Sequence, residues 1–354
     1  MKVLFLTRYG RLGASSRLRA QQFYPWLESA SIECLSQPLF SDELLSARYR
    51  VGGYSLNDAF KAYLARLYSL LRRNSVDLVW IEKEALPWLP VWVEKLLLNR
   101  TKYVLDFDDA VFHNYDLHRS AVVRRVLGRR IDHLMAGADL ITAGNAYLAQ
   151  RALDAGARHV QIIPTVIDLE RYPFQVSGNS GLVPRVVWIG SPSTVRYLAM
   201  LAEPLAELAG RRKFILRVIG GELAMPGVDV ECVRWTEDTE VSAIRECDIG
   251  IMPLTDSPWE RGKCGYKLIQ YMACGLPVVA TPVGVNAQIV REGVNGYLAD
   301  TAAVWVARLD SLIADQALRS AMGETGRRFV EEQYCTQVIG PQMIHLLRKT
   351  AEKN

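Results

Sequence analysis

Acidic side chains crowd together at the end of an apolar run in the first third of the chain. The stretch DFDDAVFH carries three acids, Asp106, Asp108 and Asp109, and His113 follows four residues after the last of them. Neighbouring carboxylates repel one another, so the pattern favours a functional role over a packing role. We predict that Asp108, with Asp109 and His113 beside it, orients a substrate hydroxyl group or stabilises charge during a reaction.

Two segments of small residues, GRLGASSRLR and GSPST, follow other apolar runs, and we expect a helix over 195–208 after the second segment. Small side chains let backbone amides approach phosphate groups, and Ser or Thr can cap a helix whose dipole attracts an anion. The first segment is not G-x-G-x-x-G, which disfavours a nicotinamide site. Arg17 could reach either a phosphate group or solvent. The predicted contact residues are Gly13, Ala14, Ser15 and Arg17, then Gly190, Ser191, Ser193 and Thr194.

Two lysines stand four residues apart in the segment ERGKCGYKLIQYMA. Lys263 and Lys267 would share one face at the start of a helix. Lys267 lies one turn before Gln270, where an ammonium group could pair with a diphosphate that the helix dipole also attracts. We therefore predict that Lys267 is a phosphate-binding residue and not a solvated surface lysine.

Short runs rich in Val, Ile and Leu alternate with stretches of helical period along the whole chain. This alternation predicts parallel sheets wrapped by helices, with ligands bound beyond the carboxyl ends of the strands. The runs are VLFL, DLVWI, KYVLDF, DLIT and VQIIP in the first half and RVVWIG, FILRVIG, VECVRW, DIGIMPL and PVVAT in the second.

A polar stretch bearing Gly and Pro, YPFQVSGNSGLVP, separates the two sets of runs. Such stretches are typical of linkers between domains. We predict a first domain over 1–174, a second over 175–330, and a C-terminal segment, 331–354, that crosses back to the first domain. A long final helix is expected over about 319–349.

Charge and composition narrow the class of protein. The net charge is +4, and the excess lies within residues 1–170, which hold 22 Lys/Arg against 18 Asp/Glu. This excess is too mild for a nucleic-acid-binding protein. The six cysteines form no CxxC pair, which argues against zinc and a disulfide framework. No apolar run is long enough to span a bilayer, so we expect a cytoplasmic protein.

The segment Ser257–Asp300 resembles the donor-binding segment of retaining family 4 glycosyltransferases. Their pattern E-x7-E-A-M-A-x-G-x-P-V-V, a glycine loop and a G-x-N-G-x-L turn are matched in order and spacing. PTVID at 164–168 resembles the end of the family's first domain, and Gly10–Arg19 resembles its first glycine loop. The matching residues are Met272, Ala273, Gly275, Pro277, Val278, Val279, Gly284, Ile289, Val290, Gly293, Asn295, Gly296 and Leu298.

The resemblance implies the GT-B fold: two Rossmann-like, doubly wound domains that face each other across a cleft, with the donor in the second domain. The two family glutamates fall on Gly262 and Gln270, and an amide at 270 can still bond ribose hydroxyls. Arg196 stands where the family often has a phosphate-binding Lys, but a solvated arginine fits nearly as well. The donor-binding set implied is Gly190, Ser191, Ser193, Thr194, Arg196, Trp235, Lys263, Tyr266, Lys267 and Gln270.

The activity implied is transfer of a hexosyl-type sugar from a nucleoside diphosphate sugar to a hydroxyl acceptor, with retention of configuration. The acceptor would be a glycan, a lipid-linked glycan or a small molecule, and neither a cofactor nor a metal is expected. DFD also spells D-x-D, the metal motif of the other glycosyltransferase fold, but the upstream nucleotide site that it needs is absent.

Two alternatives stay open. A nucleotide-sugar epimerase could use the same fold. A non-catalytic scaffold subunit of a polysaccharide assembly complex is favoured by the loss of the family glutamates.

A basic segment raises the question of membrane contact. Residues 119–130 carry five arginines and an apolar stripe, and Trp88 and Trp92 lie in another apolar segment. Amphipathic basic helices can lie on anionic lipid. A helix packed on the core with a solvated basic face fits the same pattern, so both interpretations remain.

Overall fold

The computed structural model describes residues 1–72, 75–173 and 183–352. It is an α/β structure with two six-stranded parallel sheets, as the sequence predicts. The chain divides into a first unit, Met1–Thr165 with Gly262–Cys264 and Ile339–Asn354, and a second unit, Val166–Arg261 with Gly265–Val338. In the described part of the chain, no helix combines the length and apolarity that a membrane span requires.

The sheet of the first unit has the order β2-β1-β3-β4-β5-β6. Five strands confirm the predicted apolar runs, whereas β2 was not predicted because it is an edge strand, half exposed, that contains Glu33, Ser36 and Pro38. The strands are β1 (Lys2–Tyr9), β2 (Glu33–Phe40), β3 (Leu78–Glu82), β4 (Tyr103–Phe107), β5 (Leu140–Ala143) and β6 (Val160–Ile162).

Helices connect these strands, and polar caps mark several of their starts. The Ser55 hydroxyl accepts from the Asp58 amide, and the Asn145 side chain accepts from the Leu148 amide, which satisfies amides that have no partner inside the helix. The helices are α1 (Ala14–Arg19), α2 (Tyr24–Ser29), α3 (Asp42–Val51), α4 (Leu56–Leu71), α5 (Val91–Leu98), α6 (His113–Asp116), α7 (Ala121–Leu127), α8 (Arg130–Met135) and α9 (Ala146–Asp154).

The sheet of the second unit has the order β12-β11-β10-β7-β8-β9. In its inner strand β7 (Arg185–Ile189), Val187 and Ile189 pack in one buried apolar cluster, while Val186 and Trp188 pack in another. Successive side chains point to opposite faces, so a strand buried on both faces is a continuous apolar run. The strands are β7 (Arg185–Ile189), β8 (Ile215–Ile219), β9 (Asp229–Val233), β10 (Ile249–Met252), β11 (Val278–Ala280) and β12 (Gly296–Leu298).

The remaining helices follow the strands of the second sheet, and the last of them continues into residues of the first unit from Ile339 onward. They are α10 (Val195–Ala199), α11 (Ala202–Ala209), α12 (Glu240–Arg245), α13 (Pro258–Arg261), α14 (Tyr266–Ala273), α15 (Asn286–Ile289), α16 (Ala302–Ala314), α17 (Gln316–Gln333) and α18 (Thr336–Glu352).

Two helix predictions were wrong in extent. The helix expected over 195–208 is broken into α10 and α11, because Pro204 has no amide hydrogen and its ring would clash with the carbonyl group at Met200. The long final helix is α17 and α18, interrupted where Cys335 bridges to Ile167 and the Thr336 amide donates to the Ile167 carbonyl at 2.8 Å. The predicted boundary at residues 174 and 175 lies outside the described residues.

Candidate active site

At the carboxyl edge of the first sheet, Asp106 is the inward-facing member of the three acids. It lies within β4 and is fully buried, where Arg19 binds it through Nε at 2.9 Å and Nη2 at 2.6 Å. The Thr142 hydroxyl donates to the same carboxylate at 2.6 Å. Arg19 therefore balances the charge of Asp106 in the core. The predicted repulsion between neighbouring acids persists at Asp109, whose pKa is raised by burial and also by the nearby Asp108.

Asp108 lies just beyond β4 and faces Lys83, which lies just beyond the neighbouring strand β3. The Lys83 Nζ atom is 2.8 Å from Asp108 Oδ1 and donates to Ser15 Oγ at 3.2 Å. Burial disfavours the ionised carboxyl group, but Lys83 and Arg19 outweigh it, so the pKa of Asp108 lies below its usual value. The predicted catalytic acid is therefore held as a carboxylate.

Lys83 was not predicted from the sequence. Its backbone is left-handed, with φ of 65°, a conformation that costs about 1–2 kcal/mol for a residue other than glycine. Its amide donates to the Asp106 carbonyl at 2.8 Å, which fixes the backbone against β4. Strain of this kind persists where the surroundings determine it, commonly at functional sites. The available signal was that the apolar run of β3 ends in three successive charged residues.

Asp109 is the third acid, and it faces Lys263 with Oδ2 and Nζ 3.9 Å apart. Burial raises the pKa of Asp109 above its usual value, and Lys263 only partly offsets this. Lys263 belongs to the first unit, where the Asn145 side chain donates to its carbonyl at 2.9 Å. The prediction that it shares a helix face with Lys267 was wrong, because Gly265 starts α14 in a left-handed conformation after Lys263.

His113 is held by the protein at both ring nitrogens. Nδ1 lies 2.8 Å from Asp116 Oδ1, and Nε2 lies 2.9 Å from the Tyr147 hydroxyl. The ring also contacts Phe112 edge-on. This arrangement fixes the orientation of the imidazole and favours a supporting role, while a direct part in chemistry stays a prediction.

The loop between β1 and α1 is closely packed, and the four residues predicted there lie at its end or in the first residues of α1. Gly13 is the cap residue of α1, and a Cβ atom there would lie 2.4 Å from the Cβ of Tyr9. Ala14 and Ser15 begin the helix. Arg17 is buried and donates to the Arg11 carbonyl at 2.9 Å, so its side chain turns into the loop and does not extend into solvent.

A buried carboxylate supports this loop from below. Glu82, the last residue of β3, accepts from the Ser16 hydroxyl at 2.6 Å and from the Arg8 amide at 2.9 Å. Burial raises the pKa of Glu82 above its usual value, although Lys83 opposes the shift. Sequence reasoning missed Glu82 and Ser16, because their partners are distant in the chain.

At the carboxyl edge of the second sheet, β7 ends at Ile189 and Gly190 follows it. A Cβ atom there would lie 2.5 Å from the Trp188 ring and 2.7 Å from Thr194 Oγ1, and one on Gly220 would lie 2.4 Å from the Gly190 carbonyl oxygen. The loops after β7 and β8 therefore pass too close together for side chains. The Gly190 amide itself donates to the Ile219 carbonyl at 3.0 Å, so amides for a ligand would come from the residues that follow it.

The hydroxyls after Gly190 bond to one another. Ser191 Oγ lies 3.0 Å from Ser193 Oγ, and Thr194 Oγ1 donates to the Ser191 carbonyl at 2.9 Å. The prediction that they cap the following helix was wrong, since none makes a cap bond to a backbone amide. Arg196 is largely exposed and donates to the Tyr197 hydroxyl at 3.0 Å.

Lys267 lies in the first turn of α14, and its ammonium group sits over the Trp188 ring, 4.2 Å from the ring centroid. The same ring borders the vacant side-chain position of Gly190. One buried indole thus connects two features predicted from the sequence, the Gly190 loop and Lys267. The cation–π contact orients the lysine beside that loop.

Gln270, one turn further along α14, is buried and donates from Nε2 to the Tyr172 hydroxyl at 2.9 Å. The same hydroxyl lies 3.5 Å from Glu240 Oε1, and Trp235 Nε1 donates to the other oxygen of Glu240 at 2.9 Å. Gln270 and Trp235 therefore belong to one polar network, which the buried Glu240 organises. Tyr266, the first residue of α14, is half-buried against the apolar cluster that contains Val187 and Ile189.

Several known proteins are similar to part of this chain. Residues 183–315 match the family model described as glycosyl transferases group 1. A D-inositol 3-phosphate glycosyltransferase of Pseudarthrobacter chlorophenolicus is 31% identical over 34% of this chain and 28% of its own length. An N-acetyl-alpha-D-glucosaminyl L-malate synthase of Bacillus anthracis is 35% identical over 23% and 22%. The chain thus aligns with about a quarter of the length of these curated relatives.

Solved structures are similar over nearly the whole chain. HepE of Anabaena, solved with UDP-glucose, has a TM-score of 0.75 at 17% identity over 99% of this chain and all of its own. Sucrose-phosphate synthase of Thermosynechococcus elongatus has a TM-score of 0.70 at 16% identity, over 99% and 98%. The chain therefore has the GT-B fold, and within it residues 183–315 are similar to glycosyl transferases group 1.

Proposed function

We propose that the protein is a glycosyltransferase that moves a sugar from a nucleoside diphosphate sugar to a hydroxyl acceptor. The observation that carries this proposal is the contact of Lys267 with the Trp188 ring beside the Gly190 loop. An ammonium group next to a loop of small residues at the carboxyl edge of a parallel sheet suits a diphosphate.

Within the second unit, the phosphates would lie against the backbone amides of Ser191 and Ser193 and the Lys267 ammonium group. Gln270 would bond the ribose, and for this its amide must exchange or share its bond with Tyr172. HepE has been solved with UDP and with UDP-glucose, so UDP-sugars are the first donors to test. Catalysis would come from orientation and from stabilising the charge that builds on the leaving diphosphate.

Within the first unit, Asp108 would orient the acceptor hydroxyl group or stabilise the sugar as positive charge develops. Its pairing with Lys83 at 2.8 Å keeps it ionised for that role. The resemblance to family 4 glycosyltransferases supports retention of the anomeric configuration. We propose a glycan or lipid-linked glycan as acceptor and a cytoplasmic location, with the basic segment 119–130 facing the inner side of the membrane.

We also propose that transfer needs no metal ion. Each carboxylate of the DFDD stretch faces a protein cation: Asp106 faces Arg19, Asp108 faces Lys83 and Asp109 faces Lys263. Within the described ranges 1–72, 75–173 and 183–352, no group of three or more His, Cys, Asp or Glu side chains is placed to hold a metal. Instead, the Lys267 ammonium group and the backbone amides would balance the negative charge of the diphosphate.

A donor assay tests the proposed function. The purified chain is incubated with UDP-, ADP- and GDP-sugars, with and without hydroxyl acceptors, and nucleoside diphosphate release is measured. We expect release from one class of donor, stimulated by an acceptor and lowered at least about tenfold in Asp108→Asn. Conversion of the donor sugar without diphosphate release would establish an epimerase instead. Binding and turnover absent with every donor would favour the scaffold interpretation.

A further inference from the structure

Helix α4 of the first unit has an inverted pattern of burial. Apolar side chains at four-residue and then three-residue spacing face solvent, with Leu56 90% exposed and Phe60 63% exposed. The opposite face buries a charged residue, Arg66, between Ala62 and Leu70. The exposed stripe is Leu56, Phe60, Leu64, Tyr68 and Leu71.

The inverted orientation is fixed by polar bonds on the inner face. Arg66 donates to the carbonyl groups of Thr7 at 2.6 Å and Gln37 at 2.9 Å, at the ends of β1 and β2. The Tyr63 hydroxyl donates to the Pro87 carbonyl at 2.7 Å. Rotation of α4 to bury the stripe would withdraw Arg66 from these buried carbonyls, so the apolar face stays outward.

The apolar surface continues onto the neighbouring helix, α5, which packs against α4. Trp92 and Leu96 are 65% and 66% exposed, and Trp88, half exposed, lies one turn before them. The Trp88 backbone is left-handed, with φ of 64°, a rare conformation for a bulky residue. Its amide bond to the Tyr115 hydroxyl, 3.1 Å, holds the indole at the surface.

Exposed basic residues lie on and beside the helices of this surface. The Trp88 ring contacts His118 edge-on, and α7 follows with exposed Val122 and Val126. The acidic residues of α4, α5 and α7 are Asp58, which accepts from the Ser55 hydroxyl at 2.6 Å, and Glu94, which is buried and paired with Arg130. The exposed basic residues on and beside these helices are Lys61, Arg72, Lys95, Arg119, Arg124, Arg125 and Arg129.

We propose that the outer faces of α4, α5 and α7 form a docking surface for an anionic lipid bilayer. Leucine, phenylalanine and tryptophan side chains suit the boundary between head groups and acyl chains, and the arginines complement anionic head groups. A second copy of this chain would bring the same cations together, which opposes a symmetric dimer through this surface. The proposal deepens the membrane contact proposed above and is independent of transfer activity.

Vesicle cosedimentation of the full chain, without donor, tests the proposal. We expect binding to phosphatidylcholine vesicles that contain phosphatidylglycerol, weakening as salt is added, and little binding to phosphatidylcholine alone. The double variant Phe60→Ser/Trp92→Ser should lower the partition coefficient at least about tenfold. Leu153→Ser, which removes an exposed leucine of α9 in the same unit, should leave it unchanged.

A charge variant tests the same surface without altering the apolar stripe. Arg119→Glu/Arg125→Glu should abolish the preference for anionic vesicles, whereas Arg158→Glu, at another exposed arginine of the first unit, should retain it. Equal sedimentation of the parent and both double variants would overturn the proposal. A dimer seen in sedimentation velocity and lost in Phe60→Ser/Trp92→Ser would overturn it too, since a second copy would then cover the stripe.

Discussion

The Lys83 ammonium group lies 2.8 Å from the Asp108 carboxylate, across the carboxyl ends of the adjacent strands β3 and β4. Both side chains are nearly buried, with 8% and 13% of their surface exposed. Burial alone would favour the neutral carboxyl group, and the nearby cation reverses that preference. Lys83 is therefore a positioning residue that holds the proposed catalytic carboxylate in its charged form.

Lys83→Met should move the acidic limb of the pH profile of kcat/KM to higher pH. The pKa of Asp108, now below its usual value, would rise because burial would no longer be opposed by Lys83. The carboxylate would then be lost at a higher pH as the solution is acidified. Lys83→Arg retains the charge and should keep the limb near that of the parent. A limb at the same pH in all three proteins would contradict the role given to Lys83.

Asp108→Asn should lower kcat at least about tenfold, which corresponds to roughly 1.4 kcal/mol of transition-state stabilisation. Donor affinity should change little, because the donor is proposed to bind the second unit. Steady-state kinetics and calorimetry with the donor measure the two effects separately. Full turnover in the variant would transfer the catalytic role to Asp109 or His113, or remove it from this loop.

Arg19→Met should reduce the free energy of unfolding by about 3–5 kcal/mol, because the buried Asp106 would lose its cation. Glu33→Gln, which breaks the exposed pair of Lys2 and Glu33, should cost less than about 1 kcal/mol. Urea denaturation of the three proteins provides the comparison. Similar losses in both variants would show that the buried pair contributes no more than a surface pair.

Transfer should survive an excess of chelator, because the diphosphate charge is proposed to be met by Lys267 and backbone amides. Activity is measured before and after EDTA treatment, then with added Mg²⁺ or Mn²⁺. Loss of activity with EDTA, followed by recovery with either ion, would return the DFD stretch to the D-x-D interpretation.

Among the described residues, ten of the twelve strands were predicted, and the eight inner strands are largely continuous apolar runs because both sheets are parallel. Edge strand β2 and the three-residue strand β12 lack such a run. The Gly190 loop was predictable because it directly follows an apolar strand run, and Lys267 was predictable because it lies at the start of a recognisable helix. Their contact with one indole ring was not, since Trp188 appeared only as a core residue.

The parts that sequence reasoning missed depend on contacts between distant segments. Lys83 and Asp108 lie close together because β3 and β4 are neighbours in the sheet. The number of residues between them in the chain does not indicate this contact. Lys263 was assigned to a helix that begins only after Gly265. A cation beside each acid converts what the sequence presents as crowded negative charge into three ion pairs.

Calorimetry on Lys267→Ala tests the central claim most directly, with Lys213→Ala, an exposed lysine of the second unit, as control. Loss of a charge-assisted bond to phosphate should weaken UDP binding by about 1.5–3 kcal/mol, or roughly 10- to 150-fold. Uridine, which has no phosphate, should bind as in the parent, and the control should bind both normally. Unchanged UDP binding in Lys267→Ala, or equal weakening of uridine and UDP, would contradict a diphosphate site at the edge of the second sheet.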